Sequence, residues 1–155
     1  MKQTNEEVIK QLNNLIVINN DRIQGYEKAI KETKDNDLKS VFSKLAAHSS
    51  AYKTELSSQV ISLAGEPAQG TKTTGKIFRA WMDVKAALTG KDREKIISSC
   101  ITGEDAALET YDEVLNSDAP MNITLRSTIS QQRTEILKDH KMIINLRDMV
   151  EANEV

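Results

Sequence analysis

One acid and two histidines lie on helical segments of this chain where they could bind a metal ion. Glu104 is in helical phase with Cys100 and Leu108, so its carboxylate is predicted to face the core. His48 and His140 fall on two other predicted helices. Carboxylate and imidazole groups that converge inside a helical bundle can hold iron or manganese. The chemistry to consider first is therefore a metal or redox site.

A carboxylate-bridged dimetal site needs more ligands than these. It takes a Glu from each of two helices and a Glu-x-x-His pair from each of the other two. The residues three before the histidines are Leu45 in "LAAH" and Leu137 in "LKDH", and leucine cannot bind a metal. We therefore expect no metal site. The candidate ligands, should one exist, are Glu104, His48, His140 and Glu27, with Glu135 as a further acid on the fourth helix.

A structural role for Glu104 is the alternative to a metal role. Its carboxylate is then hydrogen-bonded across the bundle to Tyr26, Gln132 or Arg133, because such pairing offsets the cost of burial. The two histidines would be boundary residues that half face water. Buried polar groups at Asn19, Glu104 and Gln132 would fix the register of the helices, as single polar residues do in coiled coils.

No pattern in the sequence predicts an enzyme. The single thiol, Cys100, lies on the apolar face of its helix and is expected to behave as a small hydrophobe. A glycine-rich phosphate loop, a nucleophile elbow and a CxxC motif are all missing from the sequence. We therefore predict no catalytic residue and no cofactor-binding residue.

Composition limits the partners and the compartment. The net charge of −2 argues against general binding to nucleic acid, which needs a basic face. The start of the sequence, "MKQTNEEVIK", has no apolar signal region, and no apolar run is long enough to span a bilayer. A lone cysteine suits a reducing compartment. These features predict a cytoplasmic protein.

Helical periodicity organises the 155 residues into four long helices, which we expect to form a single domain over 1–155. The first ends near "KDND", Asp37 is predicted to cap the second, and Gly65 is predicted to end it. The third is predicted from Asp92 to about Asn116, and the fourth follows "SDAP". The predicted core positions of the first helix are Leu12, Ile16, Asn19, Ile23, Tyr26 and Ile30, and those of the fourth are Leu125, Ile129, Gln132, Ile136, Ile143 and Met149.

The connections between these helices predict the topology. Two are short and one is long, and the long one contains a short amphipathic segment, "TTGKIFRAWMDVKAALTG". The fold class is therefore all-α, a ferritin-like four-helix bundle of two antiparallel hairpins joined by a long crossover with a short helix. The short helix is locally cationic around Trp81. It is expected to be a lid on one end of the bundle, and membrane-surface binding is its alternative.

A weak internal repeat links the first and third helices. "IQGYEKAI" can be aligned with "LETYDEVL", which matches Tyr26 with Tyr111. A second alignment, one heptad away, matches Gly25 with Gly103, so the sequence leaves duplication of a helical hairpin open.

Several segments resemble one known family over nearly the whole chain. They are "GYEKAI", "LKSVFSKLAAH", "LAGEP", "RAWMDVKAALTG", "GEDAALETYDEVL" and "INLRD". In this order they resemble the bacterial domain-of-unknown-function family 2383, a group of ferritin-like four-helix-bundle proteins. The resemblance implies the fold and no activity. Where that family tends to have "ECERGED", this chain has "SCITGED", with Ser99 and Ile101 in place of acids, and Phe78 stands where a histidine is frequent.

Taken together, these patterns favour a non-enzymatic cytoplasmic bundle that acts through self-association or a protein partner. Ferritin-like proteins pair through bundle faces, so the resemblance implies a homodimer. The alternative is a ferritin-like metal-binding or redox protein with a degenerate site that holds iron or manganese.

Overall fold

The computed structural model describes residues 2–69 and 93–153. These residues form four α-helices and no β-strand: α1 (Lys2–Glu32), α2 (Asn36–Ser62), α3 (Arg93–Leu115) and α4 (Ile123–Asn153). The predicted all-α four-helix bundle is confirmed. The short helix predicted around Trp81, and with it the course of the crossover, lies outside the described residues and stays a prediction.

The first two helices form an antiparallel hairpin around a three-residue connection, 33–35. Arg22 is hydrogen-bonded to Ser49, and Asn13 is hydrogen-bonded to the backbone of Glu66. These contacts show that α1 and α2 run in opposite directions.

α3 and α4 form the second antiparallel hairpin. His140 contacts Asp105, and Arg126 donates to the carbonyl of Leu115. The guanidinium of Arg93, at the start of α3, binds two aspartates at the start of α2. α2 and α3 thus run in the same direction, and the end of α2 lies at the opposite end of the bundle from the start of α3.

The core lies between all four helices, but α1 presents a slightly different face from the predicted one. Ile23 and Ile30 are only half-buried, whereas Arg22 and Ala29 are completely buried. Every residue from Leu15 to Arg22 is buried. Because α1 is covered on all sides along this stretch, apolar periodicity alone could not define which residues point inward.

One predicted core position on α4 is wrong. Met149 is 62% exposed. α1 and α4 run in parallel, and Arg22 on α1 lies at the same height as Asp139 on α4. Ten residues further along, at the height of Met149, α1 ends at Glu32. Met149 therefore has no turn of α1 to pack against.

Both predicted caps of α2 are displaced. The helix starts at Asn36 after the extended residue Asp35, so Asp37 lies in the first turn rather than at the cap. At the other end the left-handed residue is Ala64, with a φ of 63°, and Gly65 follows it. None of the described helices has an apolar stretch of the length that a bilayer requires.

Candidate functional site

An arginine occupies the centre of the bundle. Arg22 on α1 is completely buried, and its guanidinium faces the equally buried Glu104 on α3. Nε donates to Oε1 of Glu104 over 2.7 Å, and Nη2 donates to Oε2 over 3.0 Å. Two parallel bonds of this kind make a bidentate ion pair, which is stronger and more directional than a single contact. Each of the two buried charges thus has an oppositely charged partner, which offsets the cost of its burial.

Side chains from α2 and α4 complete the surroundings of Arg22. Nη1 donates to Oγ of Ser49 over 2.7 Å, and Nη2 lies 3.4 Å from Oδ2 of Asp139. The same Oδ2 lies 3.0 Å from Nδ1 of His48, whose side chain is 35% exposed. One guanidinium thus links all four helices, and His48 connects it to the surface.

A tyrosine completes the cluster. Tyr26, one turn after Arg22, donates its hydroxyl to Oε1 of Glu104 over 2.7 Å. Burial and the charge of Glu104 raise the pKa of Tyr26 well above its usual range, so the phenol remains a donor. Burial alone would lower the pKa of Arg22, but the attraction of Glu104 and further groups raises it overall. We call Arg22, Tyr26, Ser49, Glu104 and Asp139 the arginine cluster.

A second polar layer lies one to two turns away along the core. The hydroxyl of Tyr111 accepts a hydrogen bond from Nδ2 of Asn19 over 2.9 Å and donates to Oε1 of Gln132 over 2.6 Å. Nε2 of Gln132 then donates to Glu55 at the surface over 3.1 Å. This layer also joins all four helices, which supports the predicted role of Asn19 and Gln132 in fixing register.

The structure separates the candidate metal ligands. Glu104 is buried and bonded to Tyr26, one of its three predicted partners. His48 reaches Glu104 only through Asp139 and the guanidinium. The other two candidates lie elsewhere: His140 contacts Asp105, 2.6 Å away on the outside of α3, and Glu27 lines a groove between α1 and α2.

Of the three alternatives for the partner of Glu104, the structure selects Tyr26. Gln132 bonds to Tyr111, one to two turns away, and Arg133 forms an ion pair with Asp112 on the surface. As expected, both histidines lie at the boundary between core and surface.

The donor set does not fit a carboxylate-bridged dimetal centre. The position between Glu104 and Asp139 is taken by the guanidinium of Arg22, and leucines replace the two bridging glutamates. Within 2–69 and 93–153, no three His, Cys, Asp or Glu side chains are arranged so that they could hold a metal ion.

Cys100 lies one turn before Glu104 and is buried. Burial and the neighbouring charge of Glu104 raise the pKa of its thiol far above the usual range. The thiol is therefore protonated at neutral pH, and a protonated thiol is a poor nucleophile.

Sequence reasoning missed Arg22, Ser49 and Asp139. Ser49, rather than the neighbouring His48, takes the buried position on α2. For Arg22 a signal did exist, because it lies three residues after Asn19 and four before Tyr26, both of which were predicted to be buried. Asp139 is likewise three residues after Ile136 and four before Ile143.

Fold and site together define a class: an all-α four-helix bundle whose core is crossed by two polar layers, one of them centred on a buried ion pair. The chain belongs to the family described as a domain of unknown function, DUF2383, whose sequence pattern matches residues 7–117. No curated protein matches this chain.

Proposed function

We propose that the protein is a non-enzymatic cytoplasmic bundle that acts by association, with a second copy of itself or with a protein partner. The observation that supports this most directly is the position of Arg22. Its guanidinium neutralises the carboxylates that converge in the core, so Glu104 and Asp139 already have a cation. We infer that the polar core stabilises the packing of the four helices and that the protein acts through its surface.

The state of the potential nucleophile agrees with this proposal. Cys100 is buried as a protonated thiol, and the neighbouring Tyr26 is held as a neutral phenol. Neither group is exposed to a substrate in solution.

Light scattering on the eluting protein in size-exclusion chromatography tests self-association. We expect a species of twice the 17.3 kDa chain mass at micromolar concentrations. A monomer at every concentration, together with no partner recovered from the native host by cross-linking, would contradict the proposal.

A degenerate ferritin-like metal site is the second candidate function. One observation favours it: Glu104, Asp139 and His48 come from three helices and are linked through the guanidinium of Arg22, whose place a metal ion would have to take. Elemental analysis of protein grown with iron and manganese, and purified without chelators, distinguishes the two proposals. We expect no stoichiometric metal, whereas a metal that is lost in Glu104→Ala would favour the second candidate.

A further inference from the structure

α2 and α4 are the least closely packed pair of neighbouring helices in the bundle. α1 packs closely on α2 and on α3, and α3 packs on α4. A groove of about 560 Å³ lies between α2 and α4. We call it the α2–α4 groove, and the lining residues used below are Lys44, Ala47, Ala51, Glu135, Lys138 and Met142.

Small and apolar side chains line the middle of the α2–α4 groove. Ala47 and Ala51, one turn apart on α2, are both exposed, and Met142 on α4 is half-buried. Alanines project little from a helix, so a second helix can approach the backbone of α2 closely here. An apolar strip of this kind gains free energy when a partner removes it from water.

Charges divide the α2–α4 groove into two halves. Two contacts between the helices show which residues of α2 and α4 lie at the same height along the groove: His48 bonds to Asp139, and Glu55 bonds to Gln132. Lys44 lies one turn from His48, and Lys138 is adjacent to Asp139. Asp139 is itself buried and paired with Arg22 and His48, so the exposed charges of this half are the two lysines.

The other half is negative. Glu135 lines the groove together with Tyr52, which lies one turn beyond His48. Glu55 follows within another turn and is exposed. Lys44, Lys138 and then Glu135 therefore follow one another along the α2–α4 groove. Glu55 continues this order just beyond the lining residues, on the same side of the bundle.

We propose that the α2–α4 groove is the surface by which two copies of this chain associate. A two-fold axis across the groove near Ala51 reverses its direction in the second copy. It then places Lys44 of one copy against Glu55 of the other, and Lys138 against Glu135. A surface that carries opposite charges in its two halves is complementary to itself under this symmetry. The inference rests on the proposed self-association and names its interface.

Charge reversal tests the pairing. Lys44→Glu and Glu55→Lys are each expected to weaken the dimer by about tenfold or more, because each places like charges together twice in the symmetric interface. The double variant Lys44→Glu/Glu55→Lys restores opposite charges and is expected to recover most of the affinity. Sedimentation equilibrium at low and high salt measures the change, and thermal melting shows that each variant is folded.

Disulfide trapping tests the geometry without changing a charge. Ala51→Cys lies close to the proposed axis and is expected to form a covalent dimer under mild oxidation. Ser98→Cys is the matched control, because Ser98 is exposed on α3, diagonally across the bundle from α2. The native Cys100 is buried and adds no background.

The outcomes distinguish the proposed interface from the proposal that the chain associates with itself at all. Rescue by the double charge swap, with trapping at position 51 and not at 98, supports the α2–α4 groove. A dimer that responds to neither the charge variants nor trapping at position 51 overturns this inference and leaves self-association standing. A wild-type chain that is monomeric throughout overturns both.

Discussion

At the scale of single residues, the arginine cluster sets two carboxylates around one guanidinium. Glu104 receives both the bidentate pair and the hydroxyl of Tyr26, whereas Asp139 has a longer contact with Arg22 and a bond to His48. Glu104 is therefore the principal partner of the arginine. Asp139 joins the guanidinium to the half-exposed histidine.

Removing the cation from this cluster should be costly. Arg22→Met leaves Glu104 and Asp139 buried without their guanidinium, and we expect a loss of about 3–5 kcal/mol in the free energy of unfolding. The double variant Arg22→Met/Glu104→Leu should lose less than the sum of the two single variants, because neither charge is then left alone. Urea denaturation followed by circular dichroism measures each value.

Arg133→Met is the matched control for that prediction. Arg133 also pairs with a carboxylate, that of Asp112, but its side chain is 33% exposed and its partner's 47%. Solvent screens such a pair, so we expect a change of only about 0–1 kcal/mol. Equal losses of unfolding free energy at Arg22 and Arg133 would show that the buried ion pair contributes no more to stability than the exposed one.

The sequence predicted one half of the central ion pair and missed the other. Glu104 was recognisable because it interrupts an apolar face whose phase is clear. Arg22 was not, because Ile23 beside it fits the apolar face equally well and arginine is rarely buried without a partner. Recognising the pair requires the distance between α1 and α3, which a single sequence does not contain.

At the scale of elements, the end of α2 carries local strain. Ala64 adopts a left-handed conformation, in which its N–H donates to Ile61 and that of Gly65 donates to Val60. These two bonds form the Schellman arrangement, whose left-handed position is normally glycine. Here the glycine comes one residue later. Its place is explained by Ile9, whose side chain lies 2.8 Å from where a Cβ on Gly65 would be.

Opposite substitutions at these neighbouring positions should therefore have opposite effects. Ala64→Gly removes the strain of a left-handed alanine and is expected to stabilise the protein by about 0.5–1 kcal/mol, after the entropy of the added glycine. Gly65→Ala is expected to destabilise it by about 1 kcal/mol through overlap with Ile9. Thermal unfolding of both variants measures the difference, and a loss of stability in Ala64→Gly would contradict this account.

Helix number and approximate bounds were predictable, but caps and phase were less so. The third helix was predicted from Asp92 to about Asn116, and α3 extends from Arg93 to Leu115. The cap at Asp37 was wrong because Asp35, two residues earlier, takes the extended conformation that precedes α2. Several polar residues in "KDND" could cap a helix, and the choice among them depends on contacts such as that of Arg93 with Asp35 and Asp37.

At the scale of the whole molecule, one alignment of the internal repeat relates a contact in one polar layer to a contact in the other. Tyr26 bonds to Glu104, and Tyr111 bonds to Asn19. The alignment that matches Tyr26 with Tyr111 also matches Asn19 with Glu104, so the shift of the repeat exchanges the two contacts. The alignment that is a heptad away instead matches Tyr26 with Glu104 itself. The sequence could not choose between them because both preserve the apolar phase.

All three tyrosines of the chain lie in or beside these layers, which predicts a single alkaline transition. Burial raises the pKa of Tyr26, Tyr52 and Tyr111 above the usual value, with Glu104 and Glu135 adding to the effect at the first two. In the unfolded chain each phenol ionises near its ordinary pKa of about 10, so the unfolded state releases its protons first. Stability is therefore complete below that pH and falls above it, by about 1.4 kcal/mol per pH unit for each tyrosine.

Tyrosinate absorbance and helical circular dichroism should consequently change together as the pH is raised. Tyr52→Phe is the informative variant, because Tyr52 lies at the edge of the core and its loss leaves Tyr26 and Tyr111 in place. Tyr52→Phe should reduce the slope of the unfolding free energy against pH by the contribution of one tyrosine. Tyrosinate that forms while the helices persist would mean that water reaches the polar layers in the folded bundle, and the account of Tyr26 as a permanent donor to Glu104 would then be wrong.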